Sequence, residues 1–254
     1  MSDSTVVLIT GVARGLGNAL AKAYLSRPHH TVIGTVRDTS SPTLSSLTSS
    51  PTAEGSKILL YPLESTNDTH YTGLLTSLST AGITYIDLVI PNAGVAHPPG
   101  TPASVTIDDV RSVLDVNALG TLRLFQTLRG LLENAEKKGR SPKWMSMSSG
   151  AGSIAGCALY GTDKVAPYAV SKAAVNWITV AIHASEPWLT TFAIHPGFVQ
   201  TEMGNAGARV MGLKEAPNTV EEAVGKITAT IDASTRESTG GKFVNVIDGT
   251  EIPW

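Results

Sequence analysis

Two residues whose types and spacing could do chemistry together are Tyr168 and Lys172, which stand four positions apart in a segment of good helix-forming sequence. Positions i and i+4 lie on the same face of a helix, so this spacing places an ammonium group beside a phenol. An adjacent cation favours the phenolate and lowers the pKa of a tyrosine from its ordinary value of about 10. Such a phenol can exchange a proton with a carbonyl or an alcohol. Taken alone, however, such a pair is more often a surface tyrosine and a solvated lysine.

A second pair with the same spacing, Tyr160 and Lys164, competes for this role. The residues between them are Gly-Thr-Asp, which form helices poorly, so the two side chains are not expected to share a helical face. Pro167, by contrast, suits the first turn of a helix that carries Tyr168. We therefore assign the proton-transferring pair to Tyr168 and Lys172, and Tyr160 becomes a candidate wall of a substrate pocket.

A glycine-rich turn near the N-terminus is typical of phosphate binding. Gly11, Gly15 and Gly17 directly follow a β-branched, strand-like run at residues 5–10 and lead into an alanine-rich helix predicted over residues 18–27. Such a turn places backbone N–H groups at a helix N-terminus, where a phosphate can bind. The spacing Gly-x-x-x-Gly-x-Gly differs from the better-known Gly-x-Gly-x-x-Gly. Three glycines could also form an ordinary loop, but their position favours dinucleotide binding.

Two arginines indicate which dinucleotide would bind. Arg14 lies inside the glycine turn, and Arg37 ends the second predicted strand, at residues 31–37. An acidic residue at this strand end would bind the ribose hydroxyls of NAD, whereas an arginine suits the 2′-phosphate of NADP. Arginine gives planar, charge-assisted bonds to phosphate, so the sequence favours NADP(H). The nearby Asp38 argues against this preference for NADP(H). The two arginines could also be ordinary surface residues near a turn.

Composition narrows the class of protein. A chain of 254 residues with 42% hydrophobic residues fits one α/β domain. Its net charge of −2 argues against nucleic acid or a membrane surface as the main partner. The single Cys157 excludes an intramolecular disulfide and suits a reducing compartment. No secretory signal or membrane span is visible, so we expect a soluble cytoplasmic protein, and no metal site is expected.

The elements that must position these residues alternate between strand and helix. This alternation predicts a single doubly wound (Rossmann) α/β domain over residues 1–254, with about seven mainly parallel strands and helices on both faces. The further predicted strands are residues 57–63, 86–90, 143–147, 188–194 and 241–247. The further predicted helices are residues 67–82, 106–136 and 219–234. Residues 203–217 lack a firm periodicity and are predicted to form a mobile substrate flap.

Ligands of such sheets bind at the carboxyl ends of the strands, where several polar residues are expected. Glu64 follows the third predicted strand, the turn at residues 92–94 follows the fourth, and Ser149 follows the fifth. Asn117 lies in the middle of the longest predicted helix, where asparagine is unfavourable. Its side chain or its local backbone therefore has another task, unless it is simply exposed to solvent.

Six segments, in order and over the whole chain, resemble the motifs of the short-chain dehydrogenase/reductase family. They are Thr10–Gly17, Asn92-Ala93-Gly94, Asn117, Ser149, Tyr168 with Lys172, and Pro196–Thr201. The insertion before Tyr168 resembles that of the carbonyl-reductase (sniffer-like) branch. Residues 188–192, residues 200–212 and the terminal Ile-Pro-Trp resemble the norsolorinic acid ketoreductase type of fungal aromatic polyketide pathways. The chain departs from the family at Pro91, usually Asn, and at Glu64, usually Asp, and neither change removes a catalytic group.

The resemblance implies a ketoreductase that transfers hydride from NADPH to a carbonyl carbon. It implies that Tyr168 donates the proton, that Lys172 lowers the pKa of the phenol and holds the nicotinamide ribose, and that Asn117 supports a water leading to Lys172. Ser149 would donate a hydrogen bond to the carbonyl. The resemblance favours Ser149 over Ser148, because the family places this serine three residues before a glycine, here Gly152. The same residues could serve an alcohol dehydrogenase working in the oxidising direction, and a non-catalytic NADP-binding protein is a further alternative.

The resemblance also implies which residues contact the cofactor and the substrate. The expected cofactor contacts are Gly11, Arg14, Gly15, Leu16, Gly17, Arg37, Glu64, Asn92, Ala93, Gly94, Tyr168, Lys172, Pro196, Gly197, Val199 and Thr201. The expected substrate pocket comprises Ser149, Tyr160, Tyr168, Met203 and Trp254. A homodimer or homotetramer is expected, formed through the helices that bear Asn117 and Tyr168.

Overall fold

One parallel β-sheet organises the chain. The computed structural model describes residues 4–96 and 99–254. The strands are β1 Thr5–Thr10, β2 His30–Val36, β3 Lys57–Pro62, β4 Leu88–Ile90, β5 Lys143–Met147, β6 Thr190–His195 and β7 Phe243–Asn245. All neighbouring strands pair in parallel, in the order β3-β2-β1-β4-β5-β6-β7. The predicted seven-stranded, doubly wound fold is therefore confirmed.

Helices connect successive strands and cover both faces of the sheet. They are α1 Gly15–Leu25, α2 Ser45–Thr48, α3 Asp68–Thr80, α4 Ile107–Leu114, α5 Gly120–Lys137, α6 Cys157–Tyr160, α7 Ala166–Ser185, α8 Glu202–Val210 and α9 Val220–Ala233. Short 3₁₀ turns lie at Pro42–Leu44, Gly150–Gly152 and Thr162–Lys164. Within the described ranges, every helix is too short or too polar to cross a membrane.

Alternating side chains of the strands build two apolar layers, because successive residues of a strand point to opposite faces. On one face Ile9 and Phe192 pack with residues of α1 and α9, including Leu20. On the other face Leu8 and Trp144 pack with residues of α3, α5 and α7. These residues are completely or almost completely buried. The two layers hold the sheet rigid and fix the positions of its strand ends.

The order of the strands reverses next to β1, and this reversal locates the ligand cleft. The chain runs outward from β1 through β2 to β3 and then returns to place β4 on the other side of β1. Ile9 of β1 pairs with Gly34 of β2 and with Ile90 of β4. In open parallel sheets, ligands bind in the crevice outside the carboxyl ends at such a switch point.

The long helix predicted over residues 106–136 runs from Ile107 to Lys137 but contains a π-helical segment at Asp115–Leu119. Its start is fixed by a capping box in which Thr106 and Asp109 bond reciprocally. A π-segment widens one helical turn, and such segments occur often at functional sites. The position of Asn117 inside it gives a physical reason for the unusual residue type.

The segment predicted to lack regular structure, residues 203–217, is partly helical. Its first part belongs to α8, whose start is capped by the Thr201 hydroxyl, which accepts from the Gly204 N–H at 3.0 Å. Small residues had obscured the periodicity of this helix. The start of α9 is capped by the Thr219 hydroxyl, which accepts from the Glu222 N–H, while the Glu222 carboxylate accepts from Asn218.

Candidate active site

The turn between β1 and α1 requires each of its three glycines. Gly11 and Gly15 have φ angles of +74° and +59°, a region that favours glycine. A Cβ on Gly17 would lie 2.4 Å from the Gly11 carbonyl oxygen and 2.5 Å from Asn92 Nδ2. Leu16 lies between the last two glycines at the start of α1. The turn forms a close-fitting cradle in which backbone N–H groups can receive a pyrophosphate.

The turn after β4 is fastened to the turn after β1. Asn92 Nδ2 donates to the Thr10 carbonyl at 2.9 Å, and Thr10 Oγ1 accepts from the N–H groups of Asn92 and Ala93 at 3.0 and 2.9 Å. A Cβ on Gly94 would lie 3.2 Å from Asn117 Oδ1 and 3.8 Å from Lys172 Nζ. These two turns therefore form one wall that reaches from the glycine cradle to the Tyr168–Lys172 region.

Asn117 is buried and fully engaged, so the alternative that it is merely exposed to solvent is wrong. It is 1% exposed. Its Oδ1 accepts from the Val95 N–H at 2.8 Å, and its Nδ2 donates to the Val95 carbonyl and to Ser171 Oγ at 2.9 Å each. Asn117 thus joins the π-segment to the β4 turn and to the helix that carries Tyr168.

Tyr168 and Ser149 meet at the carboxyl edge of the sheet. Ser149 is the second residue after β5, and Tyr168 lies in the first turn of α7. Burial raises the pKa of Tyr168 to about 12, although a hydrogen bond between the Ser149 and Tyr168 hydroxyls lowers it. A half-buried phenol that is hydrogen-bonded to a second hydroxyl can donate a proton to an oxygen placed beside both groups.

Lys172 lies one helical turn beyond Tyr168 and is 5% exposed. Its Nζ donates to the Met147 carbonyl at 2.7 Å and lies 5.6 Å from the centroid of the Tyr168 ring. Burial lowers the pKa of Lys172 to about 8. The sequence-based expectation that the ammonium dominates the pKa of Tyr168 does not describe this structure, because burial is the largest influence on the phenol.

The rival pair, Tyr160 and Lys164, does not share a helical face, as predicted. Helix α6 ends at Tyr160, Gly161 adopts a left-handed conformation with φ +62°, and a 3₁₀ turn carries Lys164. Tyr160 is 41% exposed, and Ile154 and Leu159 of the same loop are 75% and 80% exposed. This loop therefore presents apolar side chains to solvent.

The segment after β6 lies against the glycine cradle. Pro196 and Gly197, the latter with φ +90°, turn the chain so that Val199 is buried and Thr201 caps α8. A Cβ on Gly15 would lie 3.5 Å from Thr201 Cγ2. The residue before α8 thus lies beside the glycine cradle.

The three residues expected to recognise the adenosine half follow β1, β2 and β3. Arg14 forms an exposed ion pair with Glu202, the first residue of α8. Arg37 is exposed directly after β2. Glu64 is half-buried after β3, and its N–H donates to His70 Nδ1 at 2.9 Å. Glu202 is a polar contact of the cradle that sequence reasoning missed.

The two outer members of the predicted substrate pocket differ in their surroundings. Met203 of α8 is 41% exposed. The Trp254 ring stacks on Phe243 with centroids 5.5 Å apart, and its carbonyl accepts from the Ala155 N–H at 3.0 Å. Through these two contacts, Trp254 holds the loop that follows Ser149 against β7.

Sequence reasoning also missed two polar residues that contact the turn carrying Ser149. Asn176 bonds to Ser148 and to Gly152, and His195 accepts from the Gly150 N–H. The available signals were weak. Asn176 follows Lys172 at the i+4 spacing of one helical face, and His195 ends β6 at the ligand edge.

A parallel sheet with a glycine cradle at its switch point, joined to a serine, tyrosine and lysine at the same edge, defines a nucleotide-dependent oxidoreductase that acts on carbonyl or alcohol groups. The chain belongs to the short chain dehydrogenase family, whose sequence profile matches residues 5–211.

Individual relatives extend this similarity over the whole chain. It is 46% identical to a short-chain dehydrogenase of Neurospora crassa over 258 residues, covering 100% of this chain and 99% of the relative. It is 36% identical to the norsolorinic acid ketoreductase of Aspergillus parasiticus, covering 99% and 92%. Among solved structures, the NADPH-bound carbonyl reductase from chicken fatty liver superposes with a TM-score of 0.86 at 26% identity, covering 99% and 95%.

Proposed function

We propose that this protein is an NADPH-dependent ketoreductase that reduces a ketone, with an aromatic polyketide intermediate as the substrate class. The observation that carries the proposal is the convergence of Ser149, Tyr168 and Lys172 beside the glycine cradle. The similarity to an enzyme named norsolorinic acid ketoreductase supports the substrate class.

The hydroxyls of Ser149 and Tyr168 perform the proton chemistry. When bound, the reduced nicotinamide supplies hydride to the carbonyl carbon. Ser149 donates a hydrogen bond to the carbonyl oxygen, and Tyr168 delivers a proton to the same oxygen as negative charge develops there. With a pKa of about 12, the phenol of Tyr168 is protonated at neutral pH and therefore carries the proton that it would deliver.

Lys172 and Asn117 organise the same region. With a pKa of about 8, the Lys172 amine is mostly protonated at neutral pH, so it can donate both to Met147 and to the nicotinamide ribose. Asn117 holds the β4 turn in place through Val95. The family resemblance implies that Asn117 also supports a water leading to Lys172. The wider turn of the π-segment is consistent with this role.

Arg14 and Arg37 form the basis of the proposed preference for NADPH. Both are exposed and follow adjacent strands, β1 and β2, where the adenosine half of a dinucleotide lies. In this structure Arg14 pairs with the Glu202 carboxylate, so a bound 2′-phosphate would take the place of Glu202 on the guanidinium. The NADPH-bound carbonyl reductase with the same fold is consistent with this preference.

The exposed apolar residues near the site suit a flat, apolar ketone. Ile154, Leu159 and Tyr160 come from the loop before α7, and Met203 comes from α8. Exposed apolar side chains mark a binding site when they form one contiguous patch. We propose that they form the entrance to the substrate pocket and that residues 203–217 act as its flap.

We also propose a homodimer or homotetramer formed through α5 and α7. Trp177 is 73% exposed and Val170 is 47% exposed, and the two lie seven positions apart on α7, which places them on one helical face. Exposed aromatic residues are enriched at protein interfaces.

A substrate panel tests the proposed reaction. The purified protein is assayed with fused aromatic ketones and with quinones, using NADPH or NADH, and in parallel with the corresponding alcohols and NADP⁺. The proposal predicts alcohol formation from an aromatic ketone, faster with NADPH. Turnover of alcohols alone would favour an oxidising dehydrogenase, and NADPH binding without any turnover would favour a non-catalytic binding protein.

A further inference from the structure

The turn that carries Ser149 is bonded to α7 by a buried amide. Asn176 is 3% exposed and lies one helical turn beyond Lys172. Its Oδ1 accepts from Ser148 Oγ at 2.5 Å, and its Nδ2 donates to the Gly152 carbonyl at 3.1 Å. Asn176 is therefore hydrogen-bonded to the turn at two places, Ser148 before Ser149 and Gly152 after it.

A hydrogen bond to His195, the last residue of β6, also holds the turn. His195 Nδ1 accepts from the Gly150 N–H at 3.1 Å. This bond requires an unprotonated Nδ1, and burial lowers the pKa of His195 to about 4, so the acceptor is present at neutral pH. Asp248 is the charged neighbour, and it opposes this shift without reversing it.

The turn itself leaves Ser149 little freedom. Ser149 Oγ accepts from the Ala151 N–H at 3.2 Å, and the Ser149 carbonyl accepts from the Gly152 N–H at 2.8 Å. A Cβ on Gly152 would lie 2.8 Å from the Lys172 carbonyl carbon, so the turn packs directly on the backbone of α7. The position of the Ser149 hydroxyl therefore depends on how the turn packs against α7, the helix that carries Tyr168.

We propose that Asn176, together with His195, is a positioning residue that sets the place of the Ser149 hydroxyl relative to Tyr168. Neither residue touches the reacting atoms. The proposal rests on the proposed function, because it gives the buried Asn176 and the half-buried His195 a role in the same reaction. A displacement of about 1 Å at a reacting group can reduce a rate about 100-fold.

The first test compares Asn176→Ala with Thr179→Val. Thr179 is also buried on α7, but its hydroxyl bonds to Ser146 of β5 and not to the turn that carries Ser149. Thr179→Val is therefore a matched control for the loss of a buried hydrogen bond. We expect Asn176→Ala to lower kcat about 10- to 100-fold with KM for NADPH unchanged. Thr179→Val should lower the unfolding temperature by a similar amount and leave kcat within about twofold.

A double-mutant cycle decides whether Asn176 acts through Ser149. If it does, Asn176→Ala combined with Ser149→Ala is no slower than Ser149→Ala alone. Independent, multiplying losses would overturn the proposal. If Ser149→Ala itself is fully active, the proposed function fails, whereas a slow Ser149→Ala beside a fast Asn176→Ala contradicts only this inference.

His195 gives a test that does not depend on Asn176→Ala folding. His195→Asn retains an acceptor oxygen near the place of Nδ1, whereas His195→Phe removes the acceptor and keeps a ring of similar size. We expect His195→Phe to lower kcat about tenfold and His195→Asn to restore most of it. Equal kcat values for the two variants would contradict the positioning role.

Discussion

At the scale of the single residue, burial decides the charge states of the proposed catalytic groups. Lys172 is 5% exposed, and its pKa of about 8 lies below the ordinary value of 10.5. The folded chain therefore holds the proton of this amine less tightly than the unfolded chain does. The cost of burying the charge is complete below about pH 8 and disappears as the pH rises through the unfolded value.

This cost predicts that Lys172→Met stabilises the protein while it impairs catalysis. The substitution removes a buried charge but also the hydrogen bond to Met147. We expect a net gain near 1 kcal/mol at pH 7, or about 2–4 °C in unfolding temperature for a chain of this length. The gain should shrink as the pH rises from 8 to 10.5, as measured by thermal unfolding over that range. A loss of stability at pH 7 would contradict it.

Arg37 is the residue whose replacement best separates the two cofactors. If its exposed guanidinium binds the 2′-phosphate, Arg37→Ala weakens NADPH binding about 10- to 100-fold and leaves NADH binding nearly unchanged, since a charge-assisted bond contributes about 1.5–3 kcal/mol. Titration of both cofactors measures the difference. Arg111→Ala, which removes another exposed arginine on α4, is the control. Equal losses for the two cofactors would exclude phosphate binding by Arg37.

At the scale of the element, the glycine cradle depends on close backbone approach. Gly17→Ala would force a methyl group to 2.4 Å from the Gly11 carbonyl oxygen. We expect it to displace the turn, to destabilise the protein by about 1–3 kcal/mol and to weaken NADPH binding. Thermal unfolding and cofactor titration measure the two effects.

Gly130 provides the matched control for this prediction. It lies within α5, and in the described part of the chain no atom beyond its own helical turn lies within 4 Å of the place its Cβ would occupy. Gly130→Ala should therefore stabilise the protein by about 0.5–1 kcal/mol, because alanine favours a helix. If both alanine variants behaved alike, the close approach at Gly17 would not be what the turn requires.

Local pattern was sufficient for most elements but not for the contacts between them. The strand at residues 143–147 was predicted to the residue, and the odd position of Asn117 indicated a special segment where the π-helix lies. Helix α8 was missed because its small residues lack an apolar period. The pairing of Arg14 with Glu202, 188 residues apart, depends on the assembled sheet and has no local signal.

The same limit applies to the site. The residues proposed to do the chemistry were assigned from their types and spacing and from the family resemblance, because they lie in short sequence motifs. Asn176 and His195 were not, because their partners come from the turn after β5, more than 20 residues away. The sequence did not indicate how strongly the fold shields the Tyr168 phenol from water. The pKa of this phenol was therefore expected to be lowered, whereas burial raises it.

At the scale of the whole molecule, the exposed face of α7 predicts self-association. Trp177→Glu should shift a dimer or tetramer toward monomer with little loss of fold stability, since its side chain is 73% exposed. Leu75→Glu, at an exposed apolar position on α3, is the control. Sedimentation or light scattering over a range of concentrations measures the effect. A wild-type protein that stays monomeric at every concentration would contradict the prediction.

The central claim is that Tyr168 delivers the proton in an NADPH-dependent ketone reduction. The most direct test measures turnover of an aromatic ketone and NADPH affinity for the wild type and for Tyr168→Phe, which removes the hydroxyl and keeps the ring. The account predicts loss of turnover by at least about 100-fold with NADPH affinity retained. Normal turnover by Tyr168→Phe would contradict it.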